Sequence, residues 1–260
     1  RPQKSKRRRI ILLVDLAKEE PFMQHEHIVK SFDEELKQLD TMIMEMGGMA
    51  EAQFLAAIEA MVRRDAEAAV LIKKTDKKID TLVGAVDDHA IRILALRQPM
   101  ADDLRGVIAA LKTASIIERI GDYSKNIGKR TKVLAECPNP GAGRTIERMA
   151  TMVQSMLKDV LDAYVKRDAV KADNVRVRDE DVDYLHTSLF RELLTYMMED
   201  PKYITAATHM MFVARNIERI GDHATNIAEN VHYMVHGKMP EESRPKGDAS
   251  VYVVDPKTDV

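Results

Sequence analysis

The pentapeptide ERIGD occupies positions 118–122 and returns, one hundred residues later, at 218–222. Each copy carries two acids four residues apart, Glu118 with Asp122 and Glu218 with Asp222. Two further pairs share the spacing, Asp76 with Asp80 and Asp179 with Asp183. On a helix, side chains four apart stand on one face. When exposed, such like charges repel by only a few tenths of a kcal/mol. These acids are not patterned for exposure: Asp76 falls in a helical line with Ile72, Ile79, Val83, Val86, Ala90 and Ile93. Asp179 falls in line with Val175, Val182, His186, Leu189 and Leu193, while Glu118 and Asp122 continue the path Leu104, Ile108, Leu111, Ser115. A carboxylate beside an apolar stripe loses hydration at a cost of roughly several kcal/mol per ion before compensation. A positive charge is needed to offset it. That charge is either a side chain, with Lys77, Lys78, Arg119 and Lys125 near in sequence, or a metal ion held by carboxylate oxygens from neighbouring helices.

One isolated Glu-x-x-x-Asp is more often a solvated helix face than a ligand set. Four pairs, duplicated and matched between two halves of the chain, favour the ligand set. Gly121 and Gly221, between the acids, each cost a helix about 1 kcal/mol against Ala and in return permit close helix approach. His89, His186, His209, His223 and His236 do not recur at matched positions and read as core or surface residues. Met42, Met44, Met46 and Met49 read as core filler, a use that suits the adaptable thioether. The chain has no P-loop, dinucleotide fingerprint or Gly-x-Ser-x-Gly elbow, and no nucleophile with an arranged base, so no catalytic residue is assigned.

The elements that must position these acids are helices. The 260 residues contain no Trp and only 5% aromatics, but are rich in Ala, Leu, Met and charged residues, a composition that favours long helices over a sheet. A single Cys137 allows no disulfide within the chain and points to a reducing intracellular setting. The net charge of −2 argues against general affinity for nucleic acid. The basic run from Lys4 to Arg9 precedes an apolar stretch, Ile10–Val14, too short to span a bilayer and without a small-residue cleavage site, so neither signal peptide nor transmembrane helix is read there. Residues 1–22 read as an added or unstructured extension, because Met23 opens more ordinary protein-like sequence.

Helical periodicity predicts a first helix from a Ser31 N-cap to Arg64–Asp65, a second over Ala66–Leu96, and a third from Pro99, suited to a first turn, to Ala135. CPNPGAG at 137–143 interrupts the pattern, which then restarts with helices over 144–166, 169–198 and 201–235. The halves repeat in register: Arg64–Asp65 matches Arg167–Asp168, Asp76 matches Asp179, and Asp80 matches Asp183. The expected fold is therefore all-α, two tandem, sequence-related three-helix bundles over residues 23–137 and 138–236, followed by a polar tail, 237–260.

LRQPMADDLR at 96–105, ERIGDYSKNI at 118–127 and ERIGDHATNIAE at 218–229 together resemble the PhoU family of phosphate-signalling regulators, over about 23–236. The resemblance implies two three-helix bundles whose acid motifs bind metal: iron or zinc clusters, magnesium or manganese. It implies one site from Asp76, Asp80, Glu118 and Asp122, and a second from Asp179, Asp183, Glu218 and Asp222. It further implies a non-catalytic adaptor that represses phosphate-starvation genes when phosphate is plentiful, linking a sensor histidine kinase to the ATPase of the phosphate ABC transporter. Such a protein would be cytoplasmic, held peripherally at the inner membrane by its partners, and a homodimer or higher oligomer. In the second half YMMEDPKYIT (196–205) replaces the LRQPMADDLR signature, which leaves room for the two sites to differ in affinity or partner.

The rival reading is a di-iron carboxylate oxidase or metal-storage bundle, which needs two Glu-x-x-His motifs and two further Glu. Only Glu229 with His232 matches, and the first half has Lys129 and Lys132 at those places.

Overall fold

A computed structural model of the chain describes residues 20–241; expectations for residues 1–19 and for the tail beyond 241 lie outside the described residues. Among the described residues six helices follow in order: α1 (Glu20–Arg63), α2 (Ala66–Arg97), α3 (Ala101–Glu136), α4 (Gly143–Lys166), α5 (Ala169–Glu199) and α6 (Ile204–His236), with a 3-10 turn, Pro201–Tyr203, ahead of the last. Among the described residues no helix is long and apolar enough to cross a membrane.

The repeated Arg-Asp dipeptide is a helix-reversal device. Arg64 and Arg167 both take left-handed backbone, with φ of 57° and 50°. The Asp65 N–H donates to the Ala60 carbonyl at 2.9 Å and the Arg64 N–H to that of Met61 at 3.2 Å, the paired bonds of a Schellman motif. Asp65 then caps α2, its Oδ1 accepting from the N–H groups of Glu67 and Ala68, both at 2.9 Å. Asp168 repeats this for α5 by accepting from the Lys171 N–H at 2.9 Å. One dipeptide thus ends a helix and starts the next, which makes each pair antiparallel.

Two expected boundaries shift. α1 begins at Glu20 and runs straight through Ser31. Ser31 is therefore no N-cap; its hydroxyl accepts from Arg97 Nη2 at 2.9 Å, beside the two-pronged contact of Arg97 with Glu35. α3 begins at Ala101 rather than Pro99, because left-handed Gln98 and extended Met100 carry the chain round the corner first. In the second half Pro201 does occupy a first turn, that of the 3-10 segment capped by Asp200, whose Oδ1 accepts from the Lys202 N–H at 3.0 Å.

α1, α2 and α3 pack together as one bundle and α4, α5 and α6 as a second; α3 against α6 and α1 against α4 join them, and one continuous apolar core runs through both. The α3–α6 contact is the most extensive between any two helices. It is antiparallel: Thr113 meets Asn230 and Lys112 meets Tyr233 at one end, while Arg130 lies over Phe212 at the other. Near the midpoint the equivalent residues of the two repeats, Tyr123 and His223, stack with ring centroids 5.4 Å apart. Replacing Asp65 or Asp168 by Ala should lower stability by about 1 kcal/mol each through loss of the cap, read as a reduced urea midpoint with an unchanged slope.

Candidate metal centre

The acids expected to form each site lie on two adjacent helices, α2 and α3 in the first repeat and α5 and α6 in the second. The seam reading of the inner aspartates holds: Asp76 is 5% and Asp179 1% exposed, each between fully packed aliphatic neighbours. Asp122 and Asp222 are half-buried, Asp183 and Glu118 likewise, Glu218 is buried, and Asp80 faces solvent. The expected path Leu104, Ile108, Leu111, Ser115 lies at the edge of the core. The buried seam of α3 runs one position round, through Val107, Ala110, Ala114, Ile117 and Gly121. Glu118 and Asp122 therefore stand at the margin of the α2–α3 contact, where a carboxylate can reach both protein and water.

The glycines between the acids set the helix spacing. A Cβ at Gly121 would lie 3.3 Å from Ile79 Cδ1 and 3.7 Å from Asp76 Oδ1; one at Gly221 would lie 3.1 Å from Asp179 Oδ1. Each glycine lets the inner aspartate of the neighbouring helix come up against the backbone of the acid-bearing one.

The two clusters handle their charge differently. In the first, Lys125 Nζ donates to Asp76 Oδ2 at 2.5 Å and to Asp122 Oδ1 at 2.6 Å, bridging α2 and α3. Burial alone would make this ammonium easier to deprotonate, but hydrogen bonds and charge from both aspartates outweigh it and hold it protonated well beyond the ordinary lysine range. Glu118 is pushed up by burial and by the charges of Asp122 and Asp80, against the pull of Arg119. In the second cluster the residue at the lysine position is Thr225, whose hydroxyl donates to the Asp222 carbonyl at 2.7 Å. There burial, with the charges of Asp222, Asp183 and Asp179, pushes Glu218 up to about 7 against the opposing Arg215. Arg215 Nη1 holds Glu218 Oε1 at 2.7 Å, while Oε2 is buried with no hydrogen-bond partner. Gln53 also stands at the first cluster: its Nε2 donates to the Gly121 carbonyl at 3.2 Å, and its Oε1 is buried without a partner.

Among the described residues, no three His, Cys, Asp or Glu side chains are drawn close enough to hold a metal ion as they stand. The donor chemistry of the second cluster nevertheless suits a hard or borderline cation: four carboxylates, one with a buried oxygen lacking a partner. Lys125 is one of the four cationic side chains that lie near the acids in sequence, with Lys77, Lys78 and Arg119. Gln53 and Arg215 were missed, although a lone Gln in phase with Ala50, Phe54 and Ala57 was a readable signal. At the di-iron candidate, Glu229 Oε1 lies 3.9 Å from Arg176 Nε and the His232 ring bonds the Lys238 carbonyl at 3.0 Å.

The PhoU domain family model matches residues 43–131 and 146–231, once per bundle. The chain is 51% identical to the phosphate-specific transport system accessory protein PhoU homolog of Caulobacter vibrioides, over 86% of this chain and 97% of that protein. It is 47% identical to the protein of the same description from Rhizobium meliloti, over 87% and 96% respectively. Among solved structures, PhoU from Pseudomonas aeruginosa superposes with a TM-score of 0.77 at 37% identity, covering 80% of this chain and all of that one. The phosphate transport system regulatory protein PhoU from Streptococcus pneumoniae gives 0.74 at 28% identity, covering 81% of this chain and all of that one.

The raised Glu218 has a signed consequence. Between its unfolded value, near 4.5, and about 7 the folded chain holds the proton more tightly, so its contribution to stability is fully present below 4.5 and is lost as pH rises through 7. Glu218→Gln should therefore leave metal-free stability nearly unchanged at pH 4.5 and raise it by roughly 1–3 kcal/mol at pH 8. Denaturation of both proteins in chelator at the two pH values measures this.

Proposed function

Because this chain belongs to the PhoU family, we propose that it is an accessory regulatory protein of phosphate-specific transport, acting as a metal-binding adaptor without catalysis of its own. It would couple the ATPase of the phosphate ABC transporter to the sensor histidine kinase of the phosphate two-component system and repress phosphate-starvation genes when phosphate is plentiful. The observation that carries this reading is the carboxylate constellation, built twice at matched positions in a duplicated helical bundle. Such a scaffold offers long rigid faces for docking. The metal is assigned to the carboxylate clusters, Asp76, Asp80, Glu118 and Asp122 in one repeat and Asp179, Asp183, Glu218 and Asp222 in the other. The second, with its buried oxygen lacking a partner, supports it most directly. Oxygen-only donors suit magnesium, manganese or iron, and zinc also accepts carboxylates.

In this reading the protein is cytoplasmic, reaches the inner membrane through its partners, works as a homodimer or higher oligomer and does not contact nucleic acid. The di-iron alternative is disfavoured because the sole Glu-x-x-His pair is spread between Arg176 and the Lys238 carbonyl. A pull-down from solubilised membranes should recover the kinase and the transporter ATPase with the tagged chain. Asp122→Ala combined with Asp222→Ala should lower the metal content of the purified protein and derepress phosphate-starvation genes in phosphate-rich medium. Unchanged metal content in that double variant would count against the assignment, and ferrous oxidation with turnover would favour the di-iron rival.

A further inference from the structure

Away from the carboxylate clusters, the last turns of α6 set two imidazoles on one face. His232 and His236 are four residues apart, and their ring centroids lie 4.6 Å from each other with the planes tilted by 55°. On a helix that spacing lets two histidines take one transition ion between them. His232 is half-buried and His236 exposed, so the pair is anchored on one side and open to solvent on the other.

The helix end orients the first ring. Gly237 takes left-handed backbone, with φ of 73°, and its N–H donates to the Tyr233 carbonyl at 2.8 Å. The chain therefore folds back at once, and His232 Nδ1 meets the Lys238 carbonyl at 3.0 Å. A carbonyl oxygen only accepts, so Nδ1 carries the proton and, in the neutral ring, Nε2 carries the lone pair. A backbone carbonyl on the far nitrogen is the usual support of a metal-bound imidazole, because it fixes both tautomer and ring direction. The positive side chains close by are engaged elsewhere: the Lys238 ammonium pairs with Glu241, and that of Lys112 lies over the Tyr233 ring.

We infer that His232 and His236 form a site for a borderline divalent transition ion of the copper, nickel or zinc class, separate from the carboxylate clusters. Imidazole nitrogen selects such ions over magnesium, calcium and manganese, which oxygen donors suit. Among the described residues no group of three His, Cys, Asp or Glu side chains gathers to hold a metal. Two protein ligands leave the other coordination positions to water, so the ion stays exchangeable. Once bound, it bridges positions 232 and 236 and ties down the end of α6, where Gly237 packs against the Arg105 guanidinium of α3. The inference needs nothing of the metal reading of the acids and survives its failure.

The test uses copper(II), the tightest binder of the divalent series, added in equimolar amount to the chelator-treated full-length chain. Electron paramagnetic resonance and calorimetric titration follow its binding. Wild type should show nitrogen hyperfine splitting from two imidazoles. His232→Ala and His236→Ala should each lose that two-nitrogen signature and weaken copper binding on the order of a hundred-fold, while circular dichroism reports unchanged helix. Glu218→Gln combined with Asp222→Asn should keep the signature, which separates the imidazole pair from the acids. Copper should also raise the thermal midpoint of wild type and not that of His236→Ala. His236→Gln, which keeps a polar side chain at an exposed position, carries the test if an alanine variant folds poorly. An oxygen-only spectrum in wild type, no copper binding, or a two-nitrogen signature retained in both histidine variants would overturn the inference.

Discussion

The fold is organised around a penalty: carboxylates placed against an apolar seam lose hydration and must recover its worth from a positive charge. Asp76 and Asp179 sit deepest, at 5% and 1% exposure among packed isoleucines and valines. Moving them outward would cost little sequence change, since a one-residue shift of register puts any helical position on another face. That they lie inward in both repeats, each facing a glycine on the next helix, shows that the helix spacing is arranged about them. The gap that lets two helices approach so closely is itself destabilising by about 1 kcal/mol per glycine relative to alanine. The carboxylates and their counter-charges are what that spacing accommodates.

Duplication places the two clusters in a defined relation. α3 and α6 pack antiparallel, and contacts such as Thr113–Asn230 and Arg130–Phe212 fix their register. That register centres the contact on the two ERIGD motifs, where Tyr123 stacks on His223 and Arg219 donates from Nη1 to the Tyr123 hydroxyl at 3.3 Å. Each motif thus turns its acids towards its own bundle and the following aromatic residue towards the other. The stack is unequal because burial lowers the tendency of His223 to take a proton while the tyrosine side carries Arg219. A pseudosymmetric contact built from unlike residues lets the two halves diverge without losing their packing.

Much of this was legible in the sequence because helical periodicity reports phase. It placed Asp76 in line with Ile72 and Ile79, and Asp179 with Val175 and Val182, and the buried faces of α2 and α5 run through those residues. The Arg-Asp dipeptides marked true helix junctions because left-handed backbone followed by a capping aspartate is a local device, independent of packing. Phase was less reliable on α3, where two helices compete for the same face: the line through Leu104 and Ile108 is the margin and Val107 and Ala110 form the seam. Ser31 misled for a related reason, since a capping residue type also serves as a mid-helix acceptor, here for Arg97. What periodicity could not supply was the choice between lysine and metal. Lys125 is one of several cations near the acids, and only the crossing of α2 and α3 selects it over Lys77 and Lys78.

The donor type separates this scaffold from helical bundles that run oxygen chemistry. Such sites mix carboxylates with histidines so that the metal keeps redox-active, partly open coordination. Here the acids of the duplicated motifs bring no histidine as an imidazole ligand; His223 follows Asp222 but spends its ring on Tyr123. An all-carboxylate set bound by long, straight helices has a different physical capacity. Burial and the charges of Asp222, Asp183 and Asp179 together favour a proton on Glu218, and a cation held between α5 and α6 would relieve the same repulsion. The long helix pairs fix the geometry of both carboxylate clusters, and the surfaces around them are set by a charge balance that Lys125 supplies in one repeat and to which Arg215 contributes at Glu218 in the other.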